Sequence, residues 1–524
     1  MNKLINICNI NYNTYMSKKK TKRILNESEK QEIFSNSYIG KKGYTIKKSG
    51  LTVDEIQFLK EDLMMRPFVV GQKFAQLEAS AFPVYRENEN KFYVPRFYGI
   101  ERYGIPSNYE LNSGEDIDTP FTKSLRDYQE NIVQIYLNHV SNGNGGGILE
   151  VPCGRGKTVI ALNIISKIRK KTLILVHKEF LMNQWIERIE EFLPTATVGK
   201  IQAQVCDTED KDIVIGMIQT MYNKTFPSEI YAQFGITIID EVHRIGSEEF
   251  SKTLLKTISP YMLGISATVE RKDKLTNLLY MFIGPKIYCE KRENDDPVCV
   301  RGIEFNTNDS DFNEIEYDFR GNVKYSTMIS KLCDYGPRSD FIVKTVADLL
   351  EEQPNGQIMI LAHNRSLLTY LHDSIINKEI GTAGYYVGGM KQKDLQETET
   401  KQIVIATYAM AAEALDIKTL SRLVMATPKT DITQSVGRIL REKHENPVIV
   451  DIIDAHDCFQ RQWIQRRRFY KKCDYRIRTI CSDEYTTMSL DWNNDKSWKW
   501  VFEPGKGKKL DDEDSRFPPR KCMI

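Results

Sequence analysis

The chain has 524 residues, 41% hydrophobic and 27% charged, with a formal net charge of +2. That length exceeds what one core organises and predicts three or four domains of an ordinary soluble protein, with no run long and apolar enough for a bilayer and no signal-peptide core at the polar N-terminus. Near-neutral charge leaves any nucleic-acid surface to local clusters, and ten cysteines without a Cys-x-x-Cys pair argue against zinc ribbons and disulfide scaffolds and for a reducing compartment.

Residues 1–36 are expected to form a flexible basic tail. Its run Lys18, Lys19, Lys20, Lys22, Arg23 reads as solvated charge ahead of a nuclear address or nucleic-acid arm. Residues 37–118 form a small N-terminal accessory domain. In it Thr52 and Glu55 stand at capping-box spacing, opening a helix. The stretches 82–86 and 91–99 read as a hairpin around 87–90. Its aromatics interleave with Arg86, Lys91 and Arg96, a pattern that grips nucleic acid in some proteins but more often packs a core.

From 119 to 290 short apolar runs at 148–151, 172–176, 213–215, 236–239 and 262–265 alternate with helical periodicity. That is the pattern of a parallel sheet with crossover helices, which binds ligands at the carboxyl ends of its strands. A polar connector, 291–330, carries some β content. A second alternating unit spans 331–480, with strand candidates at 357–361, 384–387, 403–406, 423–426 and 448–452. The predicted class is therefore α/β, with two doubly wound parallel sheets behind a small α+β domain. Arg461, Arg466, Arg467, Arg468, Lys471 and Lys472 lie in one helical run with Trp463, Phe469 and Tyr470. They form either an extra nucleic-acid contact or a packed helix with solvated arginines. Residues 481–524 read as a disordered tail.

The chemistry concentrates where the first apolar run ends. Val151-Pro152-Cys153-Gly154-Arg155-Gly156-Lys157-Thr158 has the construction of a phosphate-binding loop: strand, tight glycine turn, Lys-Thr, helix. Glycines let backbone N–H groups close around phosphate oxygens, and the helix N-terminus favours negative charge. Lys157 is positioned for the terminal phosphates and Thr158 for Mg²⁺. A second apolar strand ends in Asp240-Glu241-Val242-His243. Asp240 is the candidate to hold Mg²⁺ through water, and Glu241 the candidate base for the attacking water. Ser266-Ala267-Thr268 closes the next strand. In the second unit, Gln434-Ser435-Val436-Gly437-Arg438-Ile439-Leu440-Arg441 places Arg438 and Arg441 almost one turn apart, as arginine fingers for a γ-phosphate.

In this order the motifs resemble the superfamily 2 helicases. Within them the stretch Leu263 to Asp273 looks like the DNA translocase branch. Tyr93-Val94-Pro95-Arg96-Phe97-Tyr98-Gly99, Tyr325 to Ser330 and Ala426 to Asp431 extend the likeness to the transcript-release helicases of poxviruses and other large cytoplasmic DNA viruses, over most of residues 40–475. The resemblance implies tandem RecA-like lobes and ATP with Mg²⁺ as cofactors, with Gln129 reading adenine. It also implies that His177, Lys178, Gln219 and Thr220 in one lobe, and His363, Asn364, Arg365 and Thr407 in the other, hold the nucleic-acid backbone. Asp416 couples the two functions, although Ala414-Leu415 replaces the glycine usual before it. The implied protein is an intracellular, soluble, DNA-dependent ATPase and 3′–5′ helicase of viral transcription, partnered with DNA ahead of RNA and with RNA polymerase machinery. If viral, it is expected at a cytoplasmic replication site, with packaging in the virion a further expectation. An RNA helicase is the alternative, and a non-motor nucleic-acid scaffold a third reading that Lys157, Asp240, Glu241 and Arg441 oppose.

Overall fold

The computed structural model describes residues 23–505 apart from 68–80, 153, 243–246, 272, 274, 291–296, 414–416, 439–443, 445, 487–491 and 493. The chain divides into two compact units at Glu290 and Lys291.

The first unit opens with the helix Glu27–Ser35, inside the stretch expected as a flexible tail. Asn26 and Glu29 cap it reciprocally, and Ile33 is buried. Then come β1 (Ser37–Gly40), β2 (Gly43–Lys47), β3 (Met64–Met65), β4 (Phe82–Pro83), β5 (Arg86–Glu87), β6 (Lys91–Val94) and β7 (Asn108–Tyr109). Five of them form a small sheet in the order β5-β6-β2-β1-β7. The expected hairpin is shorter than its sequence pattern: Pro95 caps the helix Arg96–Tyr103 where a strand was expected to continue. Its aromatics are core, not a gripping surface, because Phe92, Tyr93, Phe97 and Tyr98 are buried. Arg96 is buried as well and donates from Nη1 to the carbonyl oxygens of Ser259 (3.2 Å) and Pro260 (2.8 Å), fastening the small domain to the larger sheet. Thr52 caps the helix Val53–Asp62 through the Glu55 N–H. The Glu55 carboxylate has another partner: fully buried, it accepts Arg102 Nε and Nη2 at 2.7 and 2.9 Å.

The larger sheet of the first unit has eight strands: β8 (Gly146–Glu150), β9 (Thr172–Val176), β10 (Val198–Gln202), β11 (Val205–Cys206), β12 (Ile213–Met217), β13 (Ile236–Asp240), β14 (Tyr261–Ser266) and β15 (Lys286–Cys289). Their order is β11-β10-β12-β9-β13-β14-β8-β15, parallel throughout except β11. Alternation along β9 explains the double winding. Leu173 and Leu175 enter one hydrophobic core, Ile174 and Val176 the other. Each such fully buried side chain stabilises the fold by about 1.5–3 kcal/mol, so both faces must be covered by helices.

The second unit repeats the plan with β16 (Cys299–Phe305), β17 (Gln357–Ala362), β18 (Ala383–Tyr386), β19 (Ile403–Thr407), β20 (Leu420–Met425), β21 (Val448–Asp454), β22 (Arg476–Cys481) and β23 (Lys499–Phe502), ordered β18-β19-β17-β20-β21-β16-β22-β23. All neighbours are parallel except β22 and β23. The molecule is thus α/β, with two RecA-like sheets and a small N-terminal α+β domain.

Three sequence expectations change here. The 291–330 connector contains β16, which lies between β21 and β22 inside the sheet. The expected tail from 481 onward supplies β23 and the buried Tyr485, Trp492 and Trp498; residues 506–524 lie outside the described residues. The basic run is the helix Asp457–Lys472, and it is packed. Arg466 is buried, its Nε and Nη2 donating to the Asp451 oxygens of β21 at 2.7 and 2.9 Å, and Arg467 is buried too. Neither is available to a strand, so the extra-contact reading falls for this pair.

Candidate nucleotide site

The carboxyl edge of the first large sheet gathers the predicted residues of the first unit. β8 leads into the loop, and the Val151 N–H still follows the sheet by donating to Ser266 O at 2.9 Å. Val151 is buried and Pro152 half-buried; Cys153 lies outside the described residues. Gly154 and Gly156 have φ of 82° and 77°, left-handed values that favour glycine. Arg155 between them is exposed. The helix Lys157–Ile168 begins directly after Gly156 with no acidic residue in its first turn, leaving its N-terminal field to an anion. Thr158 stands in that first turn.

Gln129 is in the first turn of the helix Asp127–His139 and is buried. Its Oε1 accepts the Arg126 N–H at 3.0 Å, which turns Nε2 toward the loop. A Cβ on Gly156 would lie only 2.4 Å from that Nε2. The loop and the residue expected to read adenine therefore touch, and Gly156 is the position that permits it.

Two strands away, β13 ends in the acidic pair. Asp240 is buried; its Oδ1 accepts the Glu241 N–H and its Oδ2 accepts the Trp185 indole N–H, both at 2.9 Å. Burial, then the Glu241 charge, pushes its carboxyl up to about 6. Glu241 has φ of 48°, in the left-handed region that costs a non-glycine residue about 1–3 kcal/mol. That backbone turn sends its side chain to Lys157, Nζ to Oε1 at 2.6 Å. Ser266, on the strand between β13 and β8, reaches Glu241 Oε2 at 3.3 Å and donates to Thr268 O at 2.6 Å. The Thr268 N–H returns a bond to Ser266 Oγ at 3.3 Å, with Ala267 at the bend.

These residues fit a nucleoside triphosphate and Mg²⁺. The loop offers backbone N–H donors ahead of a helix N-terminus, Lys157 a cation, and Asp240 a carboxylate buried beside Glu241, an arrangement whose mutual repulsion a divalent cation relieves. Thr158 and Asp240 are the residues that would hold the ion. Val242 is buried beneath the pair; His243 lies outside the described residues.

Along the same edge, β9 and its neighbour β12 carry the expected backbone-binding residues. Gln219 Nε2 donates to His177 O at 3.1 Å, Thr220 Oγ1 accepts the Ala203 N–H at 3.0 Å, and Lys178 caps the helix Glu179–Phe192. In the second unit, His363 and Asn364 follow β17, and Thr407 ends its neighbour β19. Arg365 Nη2 donates to Gly388 O. The His363 ring nitrogen Nδ1 is 2.8 Å from Thr427 Oγ1, which also accepts the His363 N–H at 3.1 Å. Burial, then the Lys429 charge, pushes this imidazole down to about 4. Gln434, Gly437 and Arg438 lie on the helix Thr433–Arg438; Asp416 and Arg441 are outside the described residues.

Two contributors escaped the sequence reading. Trp185 belongs to no motif, and nothing local in the sequence marks it as the partner of Asp240. Thr427 was part of a resemblance, without a role.

Comparison with known proteins places these observations. Residues 122–271 match the family described as the type III restriction enzyme, res subunit. Two viral proteins named "Putative ATP-dependent RNA helicase" are similar over most of the chain. L396 of Acanthamoeba polyphaga mimivirus is 33% identical over 470 residues, covering 87% of this chain and 89% of its own. QP509L of African swine fever virus is 26% identical over 397 residues, covering 70% and 76%. The DNA 3′-5′ translocase XPB2 of Sulfurisphaera tokodaii is 22% identical over 405 residues, covering 68% and 89%. With a glycine loop and an acidic strand end on one sheet, a second sheet of the same plan, and 33% identity to a viral helicase over 87% of its length, the chain belongs to the superfamily 2 helicases, ATP-hydrolysing motors that act on nucleic acid.

Proposed function

We propose that the protein is an ATP-dependent RNA helicase. The observation that carries the choice of RNA is the 33% identity over 87% of the chain to a viral protein of that name. It takes precedence over the DNA-dependent reading expected from the sequence, which the more distant archaeal DNA translocase supports as a second reading.

In this reading the N–H groups of Gly154 to Lys157 cradle the ATP phosphates and Gln129 selects adenine. Lys157, now paired with Glu241, offers its ammonium to the terminal phosphates. Glu241 Oε1 is thereby released to orient water and accept its proton. Mg²⁺, when bound at Thr158 and Asp240, withdraws charge from the phosphates. Arg438 and Arg441 have the arginine-finger role, which is worth about 10³–10⁵ in rate in comparable sites. His177, Lys178, Gln219 and Thr220 with His363, Asn364, Arg365 and Thr407 hold sugar and phosphate, contacts that position a strand without specifying its sequence. The likeness to transcript-release helicases supports a viral role in transcript release or elongation beside an RNA polymerase, at a cytoplasmic replication site.

ATP turnover measured with single-stranded RNA, single-stranded DNA and duplex DNA tests the substrate. Stimulation by DNA alone overturns the RNA reading, and stimulation by none returns the scaffold. Lys157→Ala and Glu241→Gln are each expected to lower turnover by about 10²–10⁴; undiminished turnover in either sinks the site assignment. Arg441→Ala should spare ATP binding and impair hydrolysis.

A further inference from the structure

A cavity of about 210 Å³ lies where the small N-terminal sheet meets the first large sheet. Its floor is apolar, with Leu111, Leu255 and Ile258, and cationic and aromatic groups complete the lining: Lys41, Lys42 and Arg86 from the N-terminal domain, Lys256, Phe226 and Tyr231 from beside the large sheet. No aspartate or glutamate lines it; Glu229 on the adjoining helix Ser228–Ala232 is exposed beyond the lining, where its carboxylate feels the charge of Lys41.

The four cations are not equivalent. Lys256 is already committed: its Nζ donates to the carbonyl oxygens of Met221, Tyr222 and Lys224 at 2.9–3.2 Å, closing the C-terminal end of the helix Ile218–Asn223. It lends charge but no spare donor. Lys41 and Lys42 are exposed, Lys42 resting over the Tyr93 ring at 4.9 Å. Arg86 differs from all of these. It is half-buried, desolvation works against its charge, and among the described residues no hydrogen-bond or ion-pair partner meets its guanidinium. Five N–H donors in a fixed fork, partly stripped of water and facing no carboxylate, match a phosphate bidentately. Phe226 and Tyr231, edge to face with centroids 6.4 Å apart, provide the π surface that single-strand sites place beside their cations. The volume falls below the roughly 300–1,000 Å³ of pockets that enclose whole small molecules, so it suits a group presented by a longer chain.

The location fits such a chain. The helix Ile218–Asn223 carries in its first turn Gln219 and Thr220, assigned above to the strand backbone, and its far end is the one Lys256 closes against the cavity wall. Six helical residues rise about 9 Å, a short step along a nucleic-acid strand. We propose that this cavity, with Arg86 as its principal donor, is an additional phosphate subsite for the nucleic-acid strand, built by the N-terminal domain outside the helicase motifs. The assignment rests on the motor reading for its ligand.

The test is strand binding by the full-length protein without ATP, using labelled oligouridine over a range of salt. Each phosphate contact on a single strand contributes about 0.7 to the slope of log K against log salt. Arg86→Gln is expected to flatten the slope by about 0.7, so that between about 50 and 200 mM salt the wild-type affinity falls about threefold further than the variant's. The combined Lys41→Gln, Lys42→Gln, Arg86→Gln variant should flatten it by about 2, an approximately 20-fold divergence. Lys41→Gln with Lys42→Gln, both exposed, supplies the readout should Arg86→Gln fail to fold. Unchanged slopes in all folded variants overturn the proposal. So does binding of free uridine monophosphate that Arg86→Gln abolishes while the oligouridine slope stays put, since the ligand is then a nucleotide and not a strand. The motor reading is judged separately, by strand-stimulated ATP turnover of the wild type.

Discussion

The contact between Gly156 and Gln129 makes a quantitative claim about how the nucleotide site is held. Gly156→Ala forces an alanine to φ 77°, which costs about 1–2 kcal/mol, offset by about 0.4–1 kcal/mol from the stiffer unfolded chain. Gly143, at φ 82°, carries the same two effects, but a Cβ there meets nothing within 4 Å. The difference between the two alanine variants therefore isolates the displacement of Gln129 Nε2. Moving that side chain endangers the bond from the Arg126 N–H to Oε1, and Gln129 is too buried for water to replace it. A buried hydrogen bond of this kind contributes about 0.5–1.5 kcal/mol. Gly156→Ala should accordingly melt about 2–4 °C below Gly143→Ala, and ATP affinity should fall about fivefold in the former alone, the equivalent of about 1 kcal/mol. In a Gln129→Ala background Gly156→Ala and Gly143→Ala should melt alike, as a double-mutant cycle requires of a shared contact. Equal melting and equal ATP affinity in the two single variants would refute the idea that the loop and Gln129 are mutually positioned.

Other residues give further outcomes. Trp185→Phe keeps the ring and removes the donor to Asp240 Oδ2, so the Mg²⁺ concentration for half-maximal ATP turnover should rise about 10- to 100-fold, the usual effect of losing a partner behind a metal-binding side chain. Arg466→Ala strands a buried Asp451 and should destabilise the second unit by about 3–5 kcal/mol in denaturant titrations; a loss below about 1 kcal/mol would mean the pair is not buried as described. The pH profile of stability follows from His363. Its folded value of about 4 lies below the unfolded value of about 6.5, so the neutral ring's contribution is fully present above about 6.5 and is lost as pH falls through about 4, a span of at most about 3 kcal/mol. His363→Asn should flatten stability between those limits, and an unaltered profile would assign the acid sensitivity elsewhere.

Much of this architecture is readable before folding, and where it is not the reason is physical. The β9 strand spans the predicted 172–176, because a strand buried on both faces reads as an uninterrupted apolar run. β16 and β22 are equally interior but carry Arg301 and Arg478, which break the run. The fold neutralises these charges from afar: Arg301 by two 2.7 Å bonds to Glu352, Arg478 by the carbonyl oxygens of Trp492, Asp495 and Trp498. No local pattern announces partners so distant. The same holds for the basic helix, where Arg466 looks solvated until β21 places Asp451 beneath it. In the nucleotide site, glycine spacing and strand-end carboxylates are local signals, whereas the Gln129–Gly156 contact and the Trp185 bond exist only after the sheet is assembled.

The position of β16 also bears on how the protein is made. Cys299 pairs with both Val448 and Arg476, so the first strand of the second unit to leave the ribosome waits for nearly the last ones. Until then its two edges present unpaired backbone groups, the template on which chains aggregate. The first unit completes its sheet at Cys289 and has no such debt to later sequence. Synthesis should therefore yield a folded amino-terminal half carrying an unfinished carboxyl-terminal one, and a premature stop before Arg476 should leave that half permanently open to chaperones and proteases.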